Sequence, residues 1–369
     1  MPRVLDILVA LDRAAPFSLQ RPTDNSGLLL GDRRAPARRV LVALDPTLAA
    51  AREARRRRAD VLVTHHPLFL DPLRQLTADT HHGAVALELI RARVALIAAH
   101  TNYDAAPGGL NDLLVKKLGL LDAAPLEKAA PARSYKLVTF VPEADLQRVQ
   151  AALFAAGAGR IGQYSECSFR TPGAGTFRGG DTTHPTVGRR GRREQVVEFR
   201  LETVVPSECV EAAVRALRAS HSYQEPAFDL VPLEVLRETA GIGRAGRLAR
   251  PLALADLVAL VKRVFKVRAV EVIGRPPARL RAQRVAVGSG SCGSIWPLAL
   301  AAGAEVFVTG EMKHADRLAA AESPLVTLLA GHWATERPAV SGLAKILAAA
   351  LPEVRVLQTA TERDPTTWR

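Results

Sequence analysis

The chain has little cysteine: Cys167, Cys209 and Cys292 are three residues, far apart and odd in number. They form neither a disulfide framework nor a CxxC metal site, which points to a reducing compartment, the cytoplasm by default. Nor does any uninterrupted apolar stretch reach the roughly 20 residues that a membrane helix needs. The opening run, Met1-Pro2-Arg3-Val4-Leu5-Asp6-Ile7-Leu8, carries charges and leads into no small-residue cleavage pattern, so it does not read as a signal peptide. No membrane partner is expected, and no short-period repeat is visible. What is present is a globular composition, 48% hydrophobic and 24% charged over 369 residues, enough for two or three domains with real cores. The formal charge of +13 suggests an anionic partner. That signal is discounted, because Arg55 to Arg58 and the run from Arg189 to Arg193 read as solvated positions in an Arg-rich background without a nucleic-acid-binding motif.

Both ends of the chain alternate strand and helix patterns, which argues for parallel strands joined by crossover helices. In the first part, strands are expected at 39–44, 61–63 and 94–99, with helices over 47–58 and near 83–93. In the last part, strands are expected at 284–287, 306–308 and 325–329, with helices near 294–302, near 315–321 and over 335–350. Between them the order is strand 135–141, helix 144–156, a Gly-rich segment hiding a further strand, strand 194–204, helix 208–219 and strand 228–233. That β-α-β-β-α-β order is the split βαβ pattern of a ferredoxin-like domain. The expected fold is therefore α/β, with an outer domain of parallel or mixed sheet flanked by helices and built from residues 1–126 and 236–369. It is interrupted by an α+β insert at 127–235. Pro-rich margins at 124–131 and 275–279 mark natural boundaries.

The chemistry collects at strand ends. Thr64-His65-His66-Pro67, His100-Thr101-Asn102-Tyr103-Asp104, Thr309-Gly310-Glu311 with His314, and Gly331-His332-Trp333-Ala334-Thr335-Glu336 each follow the carboxyl end of an expected strand. Open α/β sheets build their sites at that edge. Imidazoles and carboxylates are the usual donors for Zn, Fe and Mn. His65 and His66, adjacent on extended backbone, point oppositely and would serve one ion each. His332 and Glu336, four apart on a helix, share a face. Five metal-ligand candidates result, His65, His66, Asp104, His332 and Glu336, suited to two divalent ions whose bridging hydroxide is a nucleophile. His100 is placed as a neighbour that orients Asp104. His81 and His82 read as solvated, and His184 and His221 as structural. The loop Gly288-Ser289-Gly290-Ser291-Cys292-Gly293-Ser294 is either a phosphate-binding turn or simply a tight connection. Cys292 has no evident His partner, and Lys313 could meet an anionic group.

These motifs, with Asp24-Asn25-Ser26-Gly27-Leu28 and Val42-Ala43-Leu44-Asp45-Pro46-Thr47, resemble the NGG-one-interacting-factor-three-like family, whose bacterial members are commonly labelled GTP cyclohydrolase I type 2 homologs. In the middle of the chain, Gly159-Arg160-Ile161-Gly162-Gln163-Tyr164 and Ser222-Tyr223-Gln224-Glu225-Pro226 resemble the PII/CutA-like insert of its longer members. The resemblance implies a dinuclear metal centre held by the same five residues and a ring-shaped homohexamer. One departure is that members often carry an extra His after the Gly-Glu/Asp pair, where Lys313-His314-Ala315-Asp316 offers only His314.

The function expected is a metal-dependent hydrolase in which a metal-bound hydroxide attacks a nucleotide substrate, with Glu336 and His100 as the catalytic residues that move protons. Two alternatives stand beside it: a non-catalytic hexamer that stores, delivers or senses metal, and a phosphodiesterase or phosphatase. Binding of nucleic acid through the Arg surface is a weaker expectation.

Overall fold

Short apolar runs decide the sheets. In the computed structural model, which describes residues 1–162, 164–275 and 279–367, the segments Arg39–Ala43 (β2), Val61–Thr64 (β3) and Ala95–Ala98 (β4) are buried along almost their whole length. Strands buried on both faces read as continuous hydrophobic runs, the signature of parallel sheet. They follow α1 (Val4–Ala14) and β1 (Gly27–Leu30), and they alternate with α2 (Leu48–Arg56) and α3 (His81–Ala92). Thr47 and Thr80 cap these two helices by accepting from Ala50 N and Gly83 N, which meets donors that the first turn leaves unpaired. The first part ends with α4 (Thr101–Ala105), α5 (Leu110–Leu118) and β5 (Leu120–Lys128).

The middle of the chain holds β6 (Ala132–Val141), α6 (Leu146–Ala155), β7 (Ser168–Arg178), β8 (Arg193–Pro206), α7 (Val210–Ser220) and β9 (Phe228–Val235). The last part runs β10 (Gly241–Ala253), α8 (Leu254–Phe265), β11 (Glu271–Ile273), β12 (Arg281–Val287), α9 (Trp296–Ala301), β13 (Val306–Thr309), α10 (His314–Ala321) and β14 (Val326–Leu329). It closes with α11 (His332–Glu336), α12 (Pro338–Ala350) and β15 (Arg355–Gln358).

Two compact units emerge, one from Met1–Ala130 with Arg237–Arg369 and one from Pro131–Leu236. The first contains two mixed sheets. One has the order β1-β4-β3-β2-β15, and the other β11-β14-β13-β12-β10-β5. Each sheet borrows a strand from the other end of the chain: β15 pairs parallel with β2, and β5 pairs antiparallel with β10. Leu41, Leu62 and Leu96 pack against α2 and α3 on one face of the first sheet. Val40, Val42, Val63 and Ile97 face a larger core that also holds Val285, Val306 and Phe307 of the second sheet. The second unit is a four-stranded antiparallel sheet, ordered β7-β8-β6-β9, with α6 and α7 on one face.

Three expectations need correction. The first unit has two mixed sheets rather than one. Residues 124–128 of the first Pro-rich margin are strand, because β5 is an edge strand whose other side needs no ladder bonds and so tolerates Pro125. The helix expected over 335–350 is two helices, since Pro338 has no N–H to donate back to Ala334 and opens α12 instead. Gln163 of the insert motif and residues 276–278 of the second margin lie outside the described residues.

Glu53 ties the final strand down: its carboxylate accepts from Thr359 Oγ1 (2.7 Å), Thr361 Oγ1 (2.8 Å) and Ala360 N (3.1 Å), and it pairs with Arg57 at 2.9 Å. Burial alone would raise the Glu53 pKa, but these donors hold it down at about 2, below its ordinary 4.5. The stabilisation is therefore full above about pH 4.5 and is lost as pH falls towards 2. Glu53→Gln is expected to destabilise the fold by about 1–2 kcal/mol at pH 7. Denaturant unfolding across pH should show that gap narrowing below pH 4.5.

Candidate metal centre

Parallel strands deliver their carboxyl ends to the same edge, and the polar residues just beyond those ends meet there. His65 and His66 follow β3, His100 precedes α4 after β4, Asp104 lies on α4, and His332 and Glu336 occupy the first and last positions of α11 after β14. The structure brings all six together. The rings of His65 and His66 lie 5.1 Å apart, and His100 is 5.3 and 5.4 Å from them, while His66 and His332 are 5.4 Å apart.

The contacts show how the imidazoles are aimed. His65 Nδ1 lies 2.8 Å from the Ala99 carbonyl, His66 Nδ1 2.7 Å from Asp45 Oδ1, His100 Nδ1 2.7 Å from Asp24 Oδ1 and His332 Nδ1 2.9 Å from Glu311 Oε1. A proton held on Nδ1 by an acceptor leaves Nε2 as the lone-pair donor, which is how metal-ligating imidazoles are fixed. Glu336 stands between them. Its Oε2 is 2.8 Å from His66 Nε2 and 2.9 Å from His332 Nε2, and its Oε1 is 3.9 Å from His65 Nε2. Asp104 Oδ1 is 3.7 Å from His65 Nε2. Two sets, His65 with His66 and His100, and His66 with His332 and Glu336, each place one donor atom per residue within 4.8 Å of one another and could hold a metal ion.

Two expectations change. Extended backbone would send His65 and His66 to opposite sides, yet both rings enter the same pocket. β3 ends at Thr64, and both His amides turn to the Leu44 carbonyl, so the alternation of a strand no longer applies. Among the described residues the His100 side chain makes no hydrogen bond to Asp104. Ser289 Oγ donates to Asp104 Oδ1 at 3.1 Å, while His100 is engaged by Asp24 and presents its ring beside His65 and His66.

Sequence reasoning passed over Asp24, Asp45 and Glu311 as acceptors, and Asn111, which holds the Asp104 carbonyl and the Ser289 amide. Acidic residues at strand ends were the available signal for Asp45 and Glu311. In the loop 288–294 the Gly288, Ser289, Gly290 and Cys292 amides all donate within the protein, so those four are not offered to an anion. The loop is a wall of the centre. A Cβ on Gly290, whose φ is +53°, would lie 1.8 Å from Glu336 Oε1. His314 and Lys313 are exposed, as are His81, His82 and His184, while His221 is buried against the Phe140 carbonyl.

Electrostatics fit a cation. Burial pushes His65 down to about 3, so its ring is neutral. Burial also opposes charge on His66 and His332, but Asp45 and Glu336 raise the first to about 10, and Glu336 and Glu311 raise the second to about 9. Burial and the nearby Glu336 raise Asp104 above the usual carboxylate range, while His332 and His66 hold Glu336 below it against its own burial. His65 Nε2 is buried with no hydrogen-bond partner. An orphaned lone pair aimed at buried carboxylates is costly unless a cation sits between them.

The family model described as Duf34/NIF3 (NGG1p interacting factor 3) matches residues 2–365. The chain belongs to the NIF3 family. A relative named GTP cyclohydrolase 1 type 2 homolog from Halalkalibacterium halodurans is 38% identical over 306 residues, covering 83% of this chain and 82% of that protein. One of the same name from Mycobacterium tuberculosis is 36% identical over 367 residues, 98% of this chain and 96% of its own. The crystal structure of a Bacillus cereus protein related to NIF3 superposes with a TM-score of 0.80 at 32% identity, covering 100% of this chain and 99% of that one.

Two outcomes test this NIF3 centre. Because His66 and His332 carry protons below about pH 9, a divalent cation must displace them, so its apparent affinity should rise as pH rises from 7 to 9. Calorimetry in buffers of different ionisation enthalpy should read release of about two protons on loading near neutral pH. Separately, Gly290→Ala should lower the metal content of the purified protein at least several-fold with the fold intact, read by elemental analysis and circular dichroism.

Proposed function

We propose that this NIF3 protein is a metal-dependent hydrolase of a nucleotide substrate, holding two divalent ions (Zn, Fe or Mn) per subunit. The observation that carries the reading is Glu336, whose two carboxylate oxygens address different imidazole groups: Oε1 faces His65, and Oε2 faces His66 and His332. His65 and Asp104 would hold one ion, His66 and His332 the other, with Glu336 shared. Such a pair supplies Lewis acidity and a nucleophile at neutral pH.

The chain's own residues supply the rest. Ser289 keeps Asp104 oriented, and Asp24, Asp45 and Glu311 keep three imidazoles in one tautomer. His100, only part-buried and backed by Asp24, is placed to accept and return a proton. Glu336 shares that work. The names of the relatives suggest GTP as substrate, with opening of the purine imidazole ring and loss of formate.

The same reading takes the protein as a cytoplasmic homohexamer. Among the described residues no helix is long and apolar enough to cross a membrane. Light scattering of the purified protein tests the assembly. The unit at 131–236 is read as a PII/CutA-like insert, a reading supported by its β-α-β-β-α-β order and antiparallel β7-β8-β6-β9 sheet.

The deciding experiment loads the protein separately with Zn, Mn and Fe and assays GTP, other nucleotides and a phosphodiester. Turnover is expected and should fall at least 100-fold in His65→Ala. Cleavage of the phosphodiester alone would move the reaction to the phosphodiesterase class. Metal retained without any turnover would leave a protein that stores, delivers or senses metal.

A further inference from the structure

The second unit contains a cavity of about 500 Å³, within the range of small-molecule sites and made of residues that take no part in the metal centre. Its position follows from strand alternation. Phe199, Leu201 and Val205 of β8 pack with Leu137 and Val141 of β6 beneath α6 and α7. Glu198 and Phe140 have the opposite parity and lie on the other face. β7 brings Phe177 to that face, because Phe177 pairs with Glu194, four residues from Glu198 along β8.

The cavity is preformed. The loop 179–191 is closed by Gly191 N donating to the Gly179 carbonyl, and it is strapped to the next segment by His184 N donating to Gln224 Oε1 (3.0 Å) and Thr186 Oγ1 donating to the Ser222 carbonyl (2.8 Å). Glu198 is the buried charge of the lining; Arg178, His184 and Glu225 reach it from exposed positions. The Tyr223 hydroxyl donates to Glu198 Oε1 at 2.7 Å, and burial together with Glu198 holds that phenol in its protonated form. Glu198 Oε2 has no hydrogen bond, and no Lys, Arg or His lies within ion-pair distance of Glu198 among the described residues. A Cβ at Gly175 would come 2.2 Å from Oε2, so the glycine is what leaves that oxygen room.

Glu198 Oε2 opens into the cavity, so a ligand that displaces water from it must bring N–H donors of its own. The rings of Phe140, Phe177 and Tyr223 around it call for a flat apolar body. We propose that the cavity binds a planar nitrogen heterocycle carrying two adjacent N–H donors, the amidine-type edge of a guanine base, which forks onto Glu198 between the aromatic side chains. A compact ammonium ion would leave most of the volume empty, and a ligand presenting an anionic edge would be repelled by Glu198.

Calorimetric titration and saturation-transfer NMR on the full chain test this with guanosine as the probe and adenosine, whose amino group adjoins an acceptor, as the comparison. Guanosine should bind saturably and at least tenfold more tightly than adenosine, and Glu198→Gln should cost at least tenfold. Gly175→Ala, which keeps the carboxylate and fills the space beside it, should cost a similar factor, so the test survives if Glu198→Gln fails to fold. His65→Ala should leave guanosine binding unchanged, which separates this site from the metal reading. Equal binding of the two nucleosides, no binding, binding indifferent to both insert variants, or binding lost in His65→Ala would each overturn the proposal.

Discussion

Four imidazoles turned inward by four acceptors are the constraint on which the first unit depends. Each Nδ1 is fixed from outside, by a carbonyl for His65 and by a carboxylate for His66, His100 and His332. Aiming that many rings at buried Asp104 and Glu336 costs desolvation that an apolar core would not. The sheets meet the cost by geometry. β2, β3 and β4 end on one side and β12, β13 and β14 on another, so every candidate ligand is carried on a short connection anchored by a strand that cannot shift without breaking its ladder.

That anchoring explains the local irregularities. α11 is only five residues long, His332 to Glu336, and Pro338 stops it from merging with α12. One turn suffices to stack His332 beneath Glu336, and the break frees α12 to follow the core instead. Gly290 adopts a left-handed φ of +53° because the loop must turn against the Glu336 carboxylate, where any side chain collides. Thr335 stitches the two together by accepting from the Gly290 amide at 3.0 Å.

Much of this is legible in the sequence. Strands such as 61–63 and 306–308 announce themselves as apolar runs, and polar residues directly after them point to a shared edge. What periodicity could not show was the split into two sheets. β5 carries Pro125 with Asp122, Glu127 and Lys128, and β10 carries Gly, Arg and Pro among its apolar residues, so neither reads as a strand until it finds the other. The candidate ligands were visible because they are unusual residue types at a repeated position. Their supports were not: Asp24 lies 76 residues from His100 and Ser289 lies 185 from Asp104, separations that only the folded chain brings together. The rule that neighbouring strand residues face apart failed at His65 and His66 because both lie past the end of the strand at Thr64.

Charge balance gives the centre its direction. Asp24, Asp45, Asp104, Glu311 and Glu336 surround the imidazoles, and in the ion-free protein the raised pKa values of His66 and His332 make those two rings the local counter-charges. If all five acids are ionised, two imidazolium protons leave three negative charges uncompensated. Two divalent cations with neutral imidazoles would leave one. Replacing the protons by such cations would improve neutrality, and His65 sharpens the point: burial keeps it neutral, with an unpaired Nε2 facing Asp104 and Glu336. A proton there would have to be drawn into the most deeply buried ring of the set, whereas a cation would satisfy that nitrogen and both acids at once.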